Sequence, residues 1–147
     1  METNEMQPVS LEDQCYAAGL FDGEGHARVN RQDKSLKCII RINMVDKEPL
    51  EFLQNRFGGT IKPVIKTPNK PYWIWLLSDP ARGKKNNGAH LRVKFLEGII
   101  PVMHNLTKIN DCKKCLEFDK EKIRLRNNGI YMLYGNSPNG RWNRVDR

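Results

Sequence analysis

From Leu11 to Phe21 the chain carries apolar or small residues at nearly every position, and a helix of that pattern is buried on most of its sides. Ser10 stands just before it with Asp13 three residues on, an arrangement that satisfies the free N–H groups of a first helical turn. Gly23 and Gly25 read as its stop. Two alternating segments follow, His26 to Arg31 and Leu36 to Val45, separated by the polar turn Gln32-Asp33-Lys34-Ser35. In the second, Cys38, Ile40, Ile42 and Met44 fall on one side and Lys37, Ile39, Arg41 and Asn43 on the other, because successive strand side chains point to opposite faces. Lys47 to Phe57 then sets Leu50, Leu53 and Phe57 at helical spacing, with Asp46 as cap, Pro49 tolerated in the first turn and Gly58-Gly59 as the end.

Thr60 to Lys66 and Tyr72 to Ser78 read as two further strands around a Pro- and Asn-containing loop. The first places Thr60, Lys62, Val64 and Lys66 on one side. In the second, Trp73 and Trp75 alternate with Ile74 and Leu76, which leaves its core face undecided. After the polar loop Asp79 to Gly88, Leu91, Phe95, Ile99 and Met103 form a helical stripe ending near His104. A last helix spans Lys108 to Arg126, with Cys112, Cys115, Leu116 and Ile123 as its apolar positions.

This order predicts an α+β fold in which a four-stranded antiparallel sheet is covered by helices on one face only. Residues 10–126 form the domain, residues 1–9 a leading segment, and residues 127–147 a basic tail that is either loosely ordered or an added nucleic-acid contact. The uncovered face would carry Arg28, Asn30, Lys37, Arg41, Asn43, Thr60, Lys62 and Lys66. Cations, amides and a hydroxyl without an acid suit phosphates and base edges in a major groove. The plainer reading is a solvated polar face.

Charge strengthens the first of these. Lys and Arg number 25 against 17 Asp and Glu in 147 residues, a net charge of +8 that points to a polyanionic partner, although many small proteins are basic for solubility alone. The polar start and the lack of a membrane-length apolar run predict an intracellular protein with no membrane partner. Cys15, Cys38, Cys112 and Cys115 are then reduced thiols, and Cys112-x-x-Cys115, lacking a second ligand pair, is core rather than zinc site. His26, His90 and His104 do not cluster at ligand spacing. No Ser-His-Asp order or phosphate-cradling glycine loop is present, which argues against nucleophilic hydrolases and nucleotide-dependent enzymes.

Ala17-Ala18-Gly19-Leu20-Phe21-Asp22-Gly23-Glu24-Gly25 resembles the signature of the LAGLIDADG homing endonuclease family. Gly19, Asp22 and Gly25 hold its fixed places, Leu20 and Phe21 its apolar pair, Ala17 replaces the usual Leu, and Glu24 stands where the family has Asp or Glu. The element order is also the family's αββαββα. The resemblance implies site-specific hydrolysis of both strands of a long, roughly palindromic double-stranded DNA with Mg²⁺ or Mn²⁺. It makes Glu24 the metal-ligating acid, helped by the Gly23 carbonyl, and Asp46 a residue that orders solvent. Lys108 becomes the basic group at the transition state, with Lys94 and Lys113 as alternatives. An arginine of some relatives is replaced by Leu50.

A single motif copy implies a homodimer, with Ala18, Gly19, Asp22 and Gly23 in its interface and Asp22 meeting backbone donors at the partner helix. Gly19 and Gly23, four apart on one helix face, allow close helix approach, or alternatively pack against the chain's own helices. A maturase acting on intron RNA and a DNA-binding regulator without cleavage are the rival readings. The host compartment implied is a prokaryotic cytoplasm or an organelle that encodes the gene.

Overall fold

Ser10 caps the first helix in both directions: its hydroxyl accepts from the Asp13 N–H at 3.1 Å, and the Asp13 carboxylate accepts from the Ser10 N–H at 3.3 Å. The computed structural model describes residues 8–32, 35–78 and 88–128. Its elements are α1 (Leu11–Glu24), β1 (Gly25–Gln32), β2 (Ser35–Met44), α2 (Glu48–Phe57), β3 (Thr60–Val64), β4 (Tyr72–Leu77), α3 (Gly88–Ile99), a 3₁₀ turn (Ile100–Val102) and α4 (Leu106–Asn127). The strands pair antiparallel in the order β1-β2-β4-β3. The expected α+β architecture is therefore present. The centre of the β1–β2 turn, most of the loop 79–88 and the tail beyond residue 128 lie outside the described residues.

The ladder sets Gly25, Ile42, Trp75 and Ile61 side by side across all four strands. On that same face Ala27, Cys38, Ile40 and Leu77 are buried beneath the helices. This settles β4, where Trp75 and Leu77 point inward. Phe95 of α3 sits at the centre of the core, edge-on to Phe21, Phe57 and Trp75 with ring centroids 5.9, 4.9 and 5.2 Å away. Two glycines are dictated by space. A Cβ on Gly59, at φ +93°, would lie 2.6 Å from the Leu76 carbonyl oxygen, and one on Gly25 would lie 2.3 Å from the Phe21 ring.

Several boundaries and faces differ from expectation. α1 continues through Gly23 to Glu24, since one glycine inside a helix costs only about 1 kcal/mol. It buries Ala17, Ala18 and Phe21 but leaves Leu11, Cys15, Tyr16, Gly19 and Gly23 exposed on one side among the described residues. Asp46 does not cap α2. The cap position falls on Lys47, already helical at φ −80° and ψ −31° and making no side-chain cap bond, which leaves the Asp46 carboxylate one residue too early. β3 ends at Val64, so Lys66 lies beyond the strand.

α4 begins at Leu106, where the Asn105 side chain accepts from the Lys108 N–H at 3.2 Å. Its buried seam runs Cys112, Cys115, Phe118, Asp119, Lys122, Leu125, whereas Leu116 and Ile123 are only half-buried. Asp119 can sit there because Arg92 of α3, also fully buried, grips it with Nε–Oδ2 2.7 Å and Nη2–Oδ1 2.9 Å. Among the described residues no helix is long and apolar enough to cross a membrane.

Candidate functional site

Asp22, in the last turn of α1, fastens the start of α4. Its carboxylate accepts the N–H groups of His104 and Asn105 at 2.9 and 3.0 Å, and its carbonyl accepts from the Asn105 amide at 3.4 Å. The backbone donors that the motif resemblance placed on a partner helix are thus supplied within the chain. This clasp carries Lys108, in the first turn of α4, to the Glu24 end of the molecule. Partial burial, followed by the charges of Arg41, Lys108 and Arg28, holds His26 below its ordinary 6.5, while Glu24 acts in the opposite sense. Glu24, Arg28, Arg41 and Lys108 are accordingly all within electrostatic reach of one imidazole.

Glu24 itself is exposed and lines an open cleft of about 400 Å³ with Asn43, Met44, Val45, Lys70 and Tyr72. Asp46 is exposed but does not line it. Leu50, which the motif resemblance set against an arginine, is fully buried. Lys94 and Lys113 are exposed on α3 and α4. Lys70 and Tyr72 are site neighbours that the sequence reading did not select, because they are joined to Glu24 only by the β2–β4 pairing.

The sheet brings seven of the eight expected polar residues onto its uncovered face. Arg28, Asn30, Lys37, Arg41, Asn43, Thr60 and Lys62 all have the strand parity opposite to the buried residues. Two rows cross it, His26–Arg41–Leu76–Thr60 and Asn43–Ile74–Lys62. Among the described residues no acid lies on this face. Arg41 Nε and Asn43 Oδ1 are covered yet lack a hydrogen-bond partner among those residues. Covered polar atoms are normally paired, which marks these two as ready for a ligand.

The outward face of α1 is open at its two glycines: among the described residues nothing approaches within 4 Å of a Cβ built on Gly19 or Gly23. Cys15, Gly19 and Asp22 form one side of a groove whose other side is residues 101–104. Ala18 is different: it is fully buried in the chain's own core and has no surface to offer a partner. Cys38, Cys112 and Cys115 are core thiols, as expected. Burial is the main cause pushing Cys112 up to about 12, and a hydrogen bond with Cys115 followed by burial raises Cys38.

No group of three His, Cys, Asp or Glu residues able to hold a metal occurs among the described residues. One chain offers the Glu24 carboxylate and the Gly23 carbonyl beside it, since the Phe21 carbonyl accepts from the Gly25 N–H and the Asp22 carbonyl from the Asn105 amide. That is a partial set of hard oxygen donors. It suits a cation such as Mg²⁺, which is held by one or two carboxylates with waters and substrate phosphates completing its shell.

A one-sided four-stranded antiparallel sheet, entered from a helix that ends at Glu24, is a homing endonuclease-like α+β fold. Among solved structures the chain is similar to an archaeal intron-encoded homing endonuclease, I-Vdi141I, complexed with DNA. The match has a TM-score of 0.59 and 17% sequence identity, and it covers 77% of this chain and 70% of that one. No family profile and no curated protein matches the chain.

Proposed function

We propose that the chain is a homodimeric endonuclease that hydrolyses both strands of a long, roughly palindromic DNA duplex with Mg²⁺ or Mn²⁺. The placement of Glu24 carries this reading: an exposed carboxylate where the open glycine positions of α1 meet a cationic sheet face on which the described residues include no acid. A second copy laid against Gly19 and Gly23 would bring two Glu24 carboxylates to one junction, flanked by two equivalent sheets. Each strand would then meet one carboxylate, as a double-strand cut requires. The neighbour I-Vdi141I, an intron-encoded homing endonuclease complexed with DNA, supports the reading.

In this arrangement Arg28, Lys37 and Lys62 neutralise phosphates, and Arg41 and Asn43 offer their unpaired atoms to base edges. Glu24 and the Gly23 carbonyl would hold the divalent ion, which when bound lowers the pKa of a water and offsets charge on the scissile phosphate. Lys108, positioned by the Asp22 clasp, places its ammonium at the same end and stabilises charge that develops on the phosphate oxygens. Asp46, with no cap to make, is available to order solvent nearby.

Incubated with Mg²⁺ and a randomised duplex library, the purified protein should cleave members of one sequence family. Glu24→Gln should bind those members and lose at least about a hundredfold in cleavage rate, since even outer-sphere changes at metal sites cost 10- to 100-fold. Undiminished cleavage by Glu24→Gln would remove Glu24 from the metal site. Retention of structured RNA without any duplex cleavage would replace the nuclease reading with that of a maturase.

A further inference from the structure

The open face of the sheet is not uniformly polar. β4, an interior strand, presents Tyr72, Ile74 and Leu76 there, at the parity opposite to buried Trp75 and Leu77. Leu76 lies directly beside Arg41 on one side and Thr60 on the other, and Ile74 directly between Asn43 and Lys62. Ile39 of β2 has the same orientation as Arg41. A section through the face therefore runs from cation or amide, through aliphatic, to cation or hydroxyl. The hydrophobic core is on the other side of the sheet, and among the described residues these side chains are not part of it. A merely solvated sheet face alternates cleanly to polar residues.

We infer that this strip reads thymine. Ile74 and Leu76, with Ile39 beside them, contact the C5-methyl groups of thymines on the floor of the major groove, while Arg41, Asn43 and Lys62 bond neighbouring base edges. The inference rests on the DNA-cleaving reading above and adds a base preference to it. Among the groups that base pairs show in the major groove, the thymine methyl is the apolar one. Flanking cations, with no acid among the described residues of the face, supply the charge complementarity that holds the strip against DNA. Alternate residues on a strand are about 6.8 Å apart, close to two base steps of about 3.4 Å, so Ile74 and Leu76 match bases two apart when β4 follows the groove. The same strip argues for DNA over RNA. Uracil has no methyl, and the major groove of an RNA helix is too deep and narrow for a sheet.

The test uses the natural protein on duplexes selected from a random library without divalent metal, then remade position by position with deoxyuridine for thymine. Only the methyl is lost. At positions in contact with the strip, affinity should fall about fourfold per methyl, the loss that follows from one buried CH₂-sized group. An Ile74→Ala, Leu76→Ala double variant, with folding checked by circular dichroism, should bind thymine and deoxyuridine duplexes alike. Should that variant fail to fold, the natural protein's thymine-to-deoxyuridine ratio decides alone. Equal affinity of the natural protein for both duplexes overturns the inference and leaves the nuclease reading intact, and so does a folded double variant that still discriminates as strongly as its parent. If no duplex is enriched and structured RNA is retained instead, both readings fall together.

Discussion

Phe21 folds its ring back over Gly25 where α1 gives way to β1, and only a residue without a Cβ fits beneath it. Gly19, two turns earlier in the same motif, has nothing within 4 Å. The two glycines should therefore respond oppositely to alanine. Gly25→Ala forces the ring from its site and should destabilise the folded chain by about 1–3 kcal/mol, the usual cost of overpacking. Gly19→Ala should stabilise the isolated chain by up to about 1 kcal/mol through helix propensity. Urea denaturation of both variants at low protein concentration measures this, and equal shifts in one direction would contradict the packing described. The motif spacing identified both residues in the sequence. It did not distinguish the glycine that a ring requires from the glycine that leaves a face open, because that difference lies in what packs around the helix.

Elements whose two faces differ in polarity were legible, and those with similar faces were not. β2 announced its core side because Lys37, Arg41 and Asn43 alternate with Cys38, Ile40 and Ile42. β4 gave no such sign, since its outward set Tyr72, Ile74 and Leu76 is as apolar as its inward set. α4 misled in the other direction: Asp119 and Lys122 on its buried seam look like a solvated face until Arg92 of α3 is known to lie opposite Asp119. That pair sits at 0% exposure on both sides, and Arg92 also donates to the Leu77 carbonyl at 3.4 Å, joining α3, α4 and the end of β4. Asp119→Ala strands a buried guanidinium charge and should cost about 3–5 kcal/mol. An Arg92→Met, Asp119→Leu double variant should recover most of that loss, because an apolar pair of similar volume escapes the desolvation of two charges. Thermal or urea unfolding of the three proteins gives the comparison, and a double variant no better than Asp119→Ala would show that the pair contributes through a wider network.

At the scale of the whole molecule, the proposed cutting of two DNA strands would need two Glu24 carboxylates and two sheets, and the open side of α1 is the surface on which to test for a second copy. Cys15 reports on it directly. It is the exposed thiol of the four, lying beside Gly19 in the groove along α1, while Cys38, Cys112 and Cys115 are buried and Cys112 is held protonated well above neutral pH. In dilute native protein at pH 8, one thiol per chain should therefore react rapidly with iodoacetamide. If two copies pair through α1, that reaction should slow as protein concentration passes through the range in which sedimentation detects dimer. Gly19→Leu meets no described atom within 4 Å at its Cβ but would block close helix approach, so it should sediment as a monomer and keep Cys15 reactive at every concentration. A dimer in which Cys15 remains as reactive as in the monomer would place the contact elsewhere. It would also separate the two Glu24 carboxylates, so that each duplex would be nicked on one strand rather than cut through.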